Sequence, residues 1–224
     1  MARRAKGDME AGLDLRVAEL LCSRLCHDIV SPVGAVNSGL ELMAEFGDDG
    51  GDDALDLVRT SAGEAAAKLQ FFRVAYGLAG AQAGGPDLAE AARLAAGMIT
   101  SKRISLDWPV EQQPPVAAAP RGTKLLLNLI ATAVDALPRG GVVRVTVAEG
   151  PDALETQVLA VAEDARLTDE AAAALKHATD IADLGPRDIQ AWFTRFLADR
   201  LNTALTVTPQ PGAGIGFAVA LPRA

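Results

Sequence analysis

The chain has 224 residues, half of them hydrophobic, with a formal net charge of −8 and a sequence pI near 4.8. That length suits one or two domains with a buried core, and the acidic balance argues against nucleic acid, whose phosphates it would repel. No apolar run approaches bilayer-spanning length. Residues 1–7 carry Arg3, Arg4 and Lys6 but lead into no apolar signal-peptide core, so a cytoplasmic protein with no membrane partner is expected.

After a charged, irregular start over residues 1–12, a helix is predicted from about 13–15 to about 46. Cys22, Ile29, Val36 and Met43 fall at one heptad position, and Cys26, Val33 and Leu40 fall four residues after it. This is the a/d seam of a helix packed in a bundle. Residues 47–53, GDDGGDD, form a turn, and a second helix over 53–76 repeats the pattern. There Leu55, Ala62, Leu69 and Tyr76 form one series; Val58, Ala65 and Phe72 form the other. Two antiparallel helices cannot bury two complete seams against each other alone. A symmetric dimer can, so residues 13–80 are expected to form half of a homodimeric four-helix bundle; the alternative is that the seams bury against the C-terminal half of the same chain.

Residues 77–86, GLAGAQAGGP, read as a linker, and the pattern then changes to mixed α and β over 86–224. Asp87 and Glu90 make a capping-box-like start for a helix to about 99. An alternating strand is expected over 103–110, a proline-rich loop over 111–120, and a helix over 121–137 that ends at PRGG. Strands over 142–148 and 154–162 pair as a hairpin, helices follow over 168–179 and 186–201, and strands over 203–208 and 215–221 close a last hairpin. Five strands with helices on one face make a two-layer α/β sandwich, so the chain as a whole is α+β.

Within the first helix, residues 23–43 read SRLCHDIVSPVGAVNSGLELM. On a helical wheel His27 lies about 130° from the seam, at roughly 100° per residue. Its neighbours one turn away include Arg24, Ser31 and Gly34, so the ring sits on a polar face flanked by small side chains. That leaves room for another protein's active site, and those three residues are the docking candidates. Pro32 removes a backbone donor one turn past the histidine. A neutral imidazole, with an unperturbed pKa of about 6.5, is a competent nucleophile near pH 7. Asp28 either orients the ring or accepts its other proton, or else pairs with Arg24 four residues earlier. Cys22 and Cys26 with His27 are too few for a metal site and belong to the seam, so both are expected as buried free thiols. His177 reads as a surface residue, and Trp108, Trp192 and Phe193 as packing residues. Arg73 and Tyr76 are weak candidates for shaping a hinge or docking groove.

HDIVSP resembles the H-box of histidine kinases, and LLLNLIATAVDALPRGGVVRVTV resembles the N-box helix, turn and strand of the GHKL (Bergerat) ATPase fold. The segments SRLCHDIVSP, KLQFFRVAYG, SLDWPVE and DALPRGG are more closely similar to the ChpT-type histidine phosphotransferases of alphaproteobacteria. The resemblance implies a dimeric phosphorelay intermediate. Such a protein takes a phosphoryl group from the receiver domain of a hybrid histidine kinase and hands it to response regulators such as CtrA and CpdR. His27 and Asp28 would be its catalytic residues, and the receiver would bring Mg²⁺. Asn128 stands at the first N-box asparagine, but Thr132 replaces the Mg²⁺-coordinating one. Asp164 could mimic the adenine-reading aspartate, but Ala165 and Arg166 replace the glycines beside it, so no cofactor of its own is expected. The alternatives are an ATP-dependent kinase with an unusual pocket and a non-catalytic dimeric scaffold.

Overall fold

The structure, a computed structural model, describes residues 15–46, 51–78, 86–109, 111, 118–176, 178–210 and 213–224. The expectations for residues 1–12 and His177, and most of those for the linker and the proline-rich loop, lie outside these residues. Among those described, no helix is long and apolar enough to cross a membrane.

Helix α1 (Leu15–Phe46) and helix α2 (Gly51–Ala75) form an antiparallel hairpin. Each heptad seam is divided between two directions. On α2, Ala65 and Phe72 are buried and Val58 half-buried, whereas Leu55, Ala62 and Leu69 are exposed. On α1, Ile29, Val36 and Met43 are half-buried, while Val33 and Leu40 face out, Leu40 at 51% exposure. The helices approach closely at Gly39, where a Cβ would lie 2.7 Å from Val58 Cγ2. The two cysteines do not match the expectation of burial. Cys22 and Cys26 are both exposed in the single chain: Cys26 shares the outward half of the seam with Val33 and Leu40, while Cys22 is exposed although Ile29, Val36 and Met43 at its heptad position are half-buried.

The rest of the chain builds the sandwich. Helix α3 (Leu88–Met98) starts at Asp87, whose carboxylate accepts the Glu90 backbone N–H. Strand β1 (Ile104–Asp107), helix α4 (Pro120–Asp135), strands β2 (Gly141–Glu149) and β3 (Ala153–Val161), helices α5 (Asp169–Leu175) and α6 (Ile189–Arg200), and strands β4 (Thr206–Gln210) and β5 (Gly214–Pro222) follow. The sheet order is β1-β2-β3-β5-β4, with β1 parallel to β2 and the other pairs antiparallel. Along β2, Val143, Val145 and Val147 are buried while Arg144, Thr146 and Ala148 are exposed, so only one face is covered by helices. The PRGG turn needs its glycines: Gly140 has φ +111° and Gly141 φ +145°, and a Cβ on Gly141 would meet the Val161 carbonyl oxygen at 2.5 Å.

Helix α5 is shorter than the alanine-rich sequence suggests. Its apolar contacts stop at Leu175, and propensity alone does not carry a helix past its packing. A 3-10 turn (Ile181–Asp183) and α6 follow, with Pro186 in the turn before α6 instead of its first residue.

One contiguous core joins the two halves. Val17, Leu20 and Leu21 of α1 and Phe71, Phe72, Val74 and Ala75 of α2 pack in the same cluster as the helices and inner face of the sandwich. The hairpin is thus rooted in the sandwich through the start of α1 and the end of α2.

Candidate functional site

His27 lies on α1 near the rooted end, with 85% of its side chain exposed. Its Nδ1 is 3.2 Å from Asp28 Oδ1, so a proton on Nδ1 is held by that carboxylate and Nε2 is left with its lone pair toward solvent. Arg24 donates from Nε to the other Asp28 oxygen at 3.0 Å. Its terminal nitrogens reach across to α4, where Nη1 and Nη2 bind Asp135 Oδ2 and Oδ1 at 3.0 and 2.7 Å. Only 18% of the Arg24 side chain is exposed. Burial works against its charge, but the hydrogen bonds and charges of Asp135 and Asp28 outweigh it and hold the guanidinium pKa above its ordinary value. Arg24, a docking candidate from the wheel, forms an ion-pair bridge between hairpin and sandwich. Ser31 and Gly34 are both exposed, and a Cβ on Gly34 would meet nothing within 4 Å. The flank of His27 is therefore open.

Pro32 lies within α1 and cannot donate to the carbonyl four residues earlier, which is that of Asp28. The Lys68 ammonium, from α2, donates to this orphaned oxygen at 3.2 Å. The missing donor was legible in the sequence; the identity of its substitute was not. Beside these residues a cleft of about 240 Å³ opens between hairpin and sandwich, lined by Arg24, Asp28, Lys68, Met98, Ser101 and Asp135 among others.

The N-box-like face of α4 is turned inward. Asn128 is fully buried; its amide donates to the carbonyls of Ala75 at 2.8 Å and Lys124 at 2.9 Å, and its Oδ1 accepts from Gln190 Nε2 at 3.0 Å. Thr132 donates to the Asn128 carbonyl at 2.9 Å and shares a 2.8 Å hydrogen bond with Thr194. Gln190 and Thr194 belong to α6, which packs over this face of α4. Lys124 donates to the carbonyls of Tyr76 and Gly77, both at 3.0 Å, so a cation caps the C-terminal end of α2. Tyr76, a candidate for the hinge, donates to Gln190 Oε1 at 2.6 Å and stacks on Phe72. Arg16 of α1 pins the 181–184 segment through the carbonyls of Ile181 and Leu184. Asp164 is paired with Arg139 at 2.6 Å, a hydrogen bond that lowers its pKa. Among the described residues no cluster of three His, Cys, Asp or Glu could hold a metal ion.

A helical hairpin with an exposed histidine, rooted in a two-layer α/β sandwich, defines the architecture. The family model for the histidine phosphotransferase C-terminal domain matches residues 88–212. Protein phosphotransferase ChpT of Brucella abortus (strain 2308) is 41% identical over 138 residues, which cover 62% of this chain and 63% of that protein, so the match spans less than two thirds of the relative. A bacterial phosphotransferase solved at 1.7 Å superposes with a TM-score of 0.79 and 30% identity, over 93% of this chain and 97% of that one. The chain belongs to the histidine phosphotransferase family.

Proposed function

We propose that this chain is a phosphorelay intermediate. His27 takes a phosphoryl group from an aspartyl phosphate on the receiver domain of a hybrid histidine kinase and passes it to the aspartates of response regulators, CtrA- and CpdR-like ones among them. The observation that carries this reading is the exposed imidazole whose Nδ1 faces a carboxylate. Nε2 attacks phosphorus as the bond from phosphorus to the receiver's carboxylate oxygen breaks, and the electron pair leaves with that carboxylate. The phosphorylated ring keeps its proton on Nδ1 and gains positive charge, which Asp28 balances. The reverse step, onto a regulator, uses the same atoms. Mg²⁺ held by the receiver would supply charge neutralisation for the transferring oxygens, and this chain's part is to present an aligned ring.

Ser31 and Gly34 form the open flank on which a receiver docks. The outward stripes of Val33, Leu40, Leu55 and Leu69 support a homodimeric four-helix bundle, because a second copy covers them with the same residues. The closed polar network around Asn128 and Thr132 supports a fold that works without its own nucleotide. Phosphoryl transfer from a phosphorylated receiver domain, run beside direct ATP and a His27→Ala variant, tests the reading. Labelling from the receiver alone, abolished by His27→Ala, is the expected result. Labelling from ATP would restore an autokinase, and no labelling from cognate receivers would leave a scaffold.

A further inference from the structure

Arg24 can bind Asp28 in two ways. A guanidinium left alone with one carboxylate favours the two-point fork, which occupies both carboxylate oxygens. Here it does not adopt that fork. Both terminal nitrogens are drawn to Asp135 and only Nε reaches Asp28, at Oδ2. Asp28 Oδ1 is thereby left for His27 Nδ1. Asp135 stands at the last turn of α4, far from His27 in sequence, and is joined to Asp28 through Arg24. The charged groups converging on Asp28 are Arg24 and His27 on its own helix, Lys68 from α2 at its backbone carbonyl, and Asp135 from α4 through Arg24.

We infer that Asp135 is a positioning residue for phosphoryl transfer: by holding the Arg24 fork, it keeps one Asp28 oxygen on His27 Nδ1 and so leaves Nε2 as the nucleophile. The sandwich then contributes to the reaction without touching the reacting atoms. This rests on the transfer reading above and adds a residue that the H-box motif does not contain.

The test uses the full chain labelled with ¹⁵N-histidine, with a His177→Gln variant to assign the His27 signals. Ring nitrogen shifts report which tautomer is populated, independently of any partner. In the wild-type chain the Nδ1–H tautomer should dominate. In Asp135→Asn the fork is released onto Asp28. The Nδ1–H to Nε2–H ratio should fall by roughly three- to tenfold, the worth of one net hydrogen bond at an exposed site, and transfer from a phosphorylated receiver should slow by a similar factor. The double variant Arg24→Gln/Asp135→Asn removes the competing fork as well. It has fewer contacts between the halves, yet it should recover most of the lost Nδ1–H population, an outcome that simple destabilisation does not produce. An active wild-type chain with an unchanged tautomer ratio in Asp135→Asn, or a double variant without recovery, would overturn the role of Asp135 and leave the relay standing. A wild-type chain inert toward every receiver would overturn the relay reading, and the positioning role with it.

Discussion

Replacing Asn128 distinguishes a structural asparagine from a residual nucleotide ligand. Of its side-chain partners, the Lys124 carbonyl keeps its place in the α4 ladder, and Gln190 Nε2 keeps the Asn128 carbonyl and Thr194 Oγ1, each at 3.2 Å. In Asn128→Ala the loss falls on the Ala75 carbonyl, at the last turn of α2, where helical partners run out. A buried acceptor left unpaired costs about 1–3 kcal/mol, and the space vacated by the amide adds about 1 kcal/mol. The expected destabilisation is about 2–4 kcal/mol, or roughly 4–16 °C in melting midpoint for a chain of this size. Asn128→Asp should cost more than alanine, about 3–5 kcal/mol, because it offers the Ala75 carbonyl no donor and introduces a charge into a buried network. Urea unfolding followed by tryptophan fluorescence reads both variants against wild type. If both lie within about 0.5 kcal/mol of wild type, the amide does not clamp α2, and the reasoning from its hydrogen bonds is refuted.

Lys68→Met should destabilise the chain by about 1 kcal/mol, a charge-assisted hydrogen bond discounted for partial exposure. In a Pro32→Ala background, where residue 32 can again donate to the Asp28 carbonyl, the same change should cost less; equal costs in a double-mutant cycle would reject the pairing. Tyr76 is the one tyrosine in the chain, and burial holds its phenol well above the ordinary 10, with the nearby Arg24 acting the other way. A raised folded pKa means that its contribution is complete below pH 10 and is lost as pH rises toward the folded value. Phenolate absorbance at 295 nm should therefore appear only together with alkaline unfolding; a transition near pH 10 in the folded chain would contradict the burial. Leu40→Glu with Leu69→Glu should convert a dimer to a monomer in sedimentation while preserving helical content, since both side chains already face outward. An unchanged sedimentation coefficient would remove the stripes from the interface.

The heptads of α1 and α2 revealed which faces are apolar but not how each would be shared. Ile29, Val36 and Met43 lean on α2 while Val33 and Leu40 turn away, and a seven-residue repeat is blind to that division. His27 stood out because HDxxxP names an exposed histidine and its proline locally. Arg24 was placed on the right face of the wheel and given a docking task, yet its decisive partner, Asp135, lies 111 residues away. No spacing rule joins two charges across such a separation. The substitution at Thr132 was visible as a departure from the N-box. Its use, as one member of a polar layer sealed by Gln190 and Thr194, required the packing of α6 on α4. The strands were more legible, because Val143, Val145 and Val147 alternate with polar neighbours on a sheet that has only one covered face.

Lys124, Asn128, Arg16 and Arg24 fasten the hairpin to the sandwich at its foot. A stem clamped at one end has a fulcrum, and His27 lies close to it, where bending moves an atom least. A partner docking as proposed would therefore meet the imidazole in nearly the same pose each time. If the relay reading holds, substitutions that redirect transfer among partners without slowing it should map to the outward surface farther up the stem and spare the ring's own surroundings.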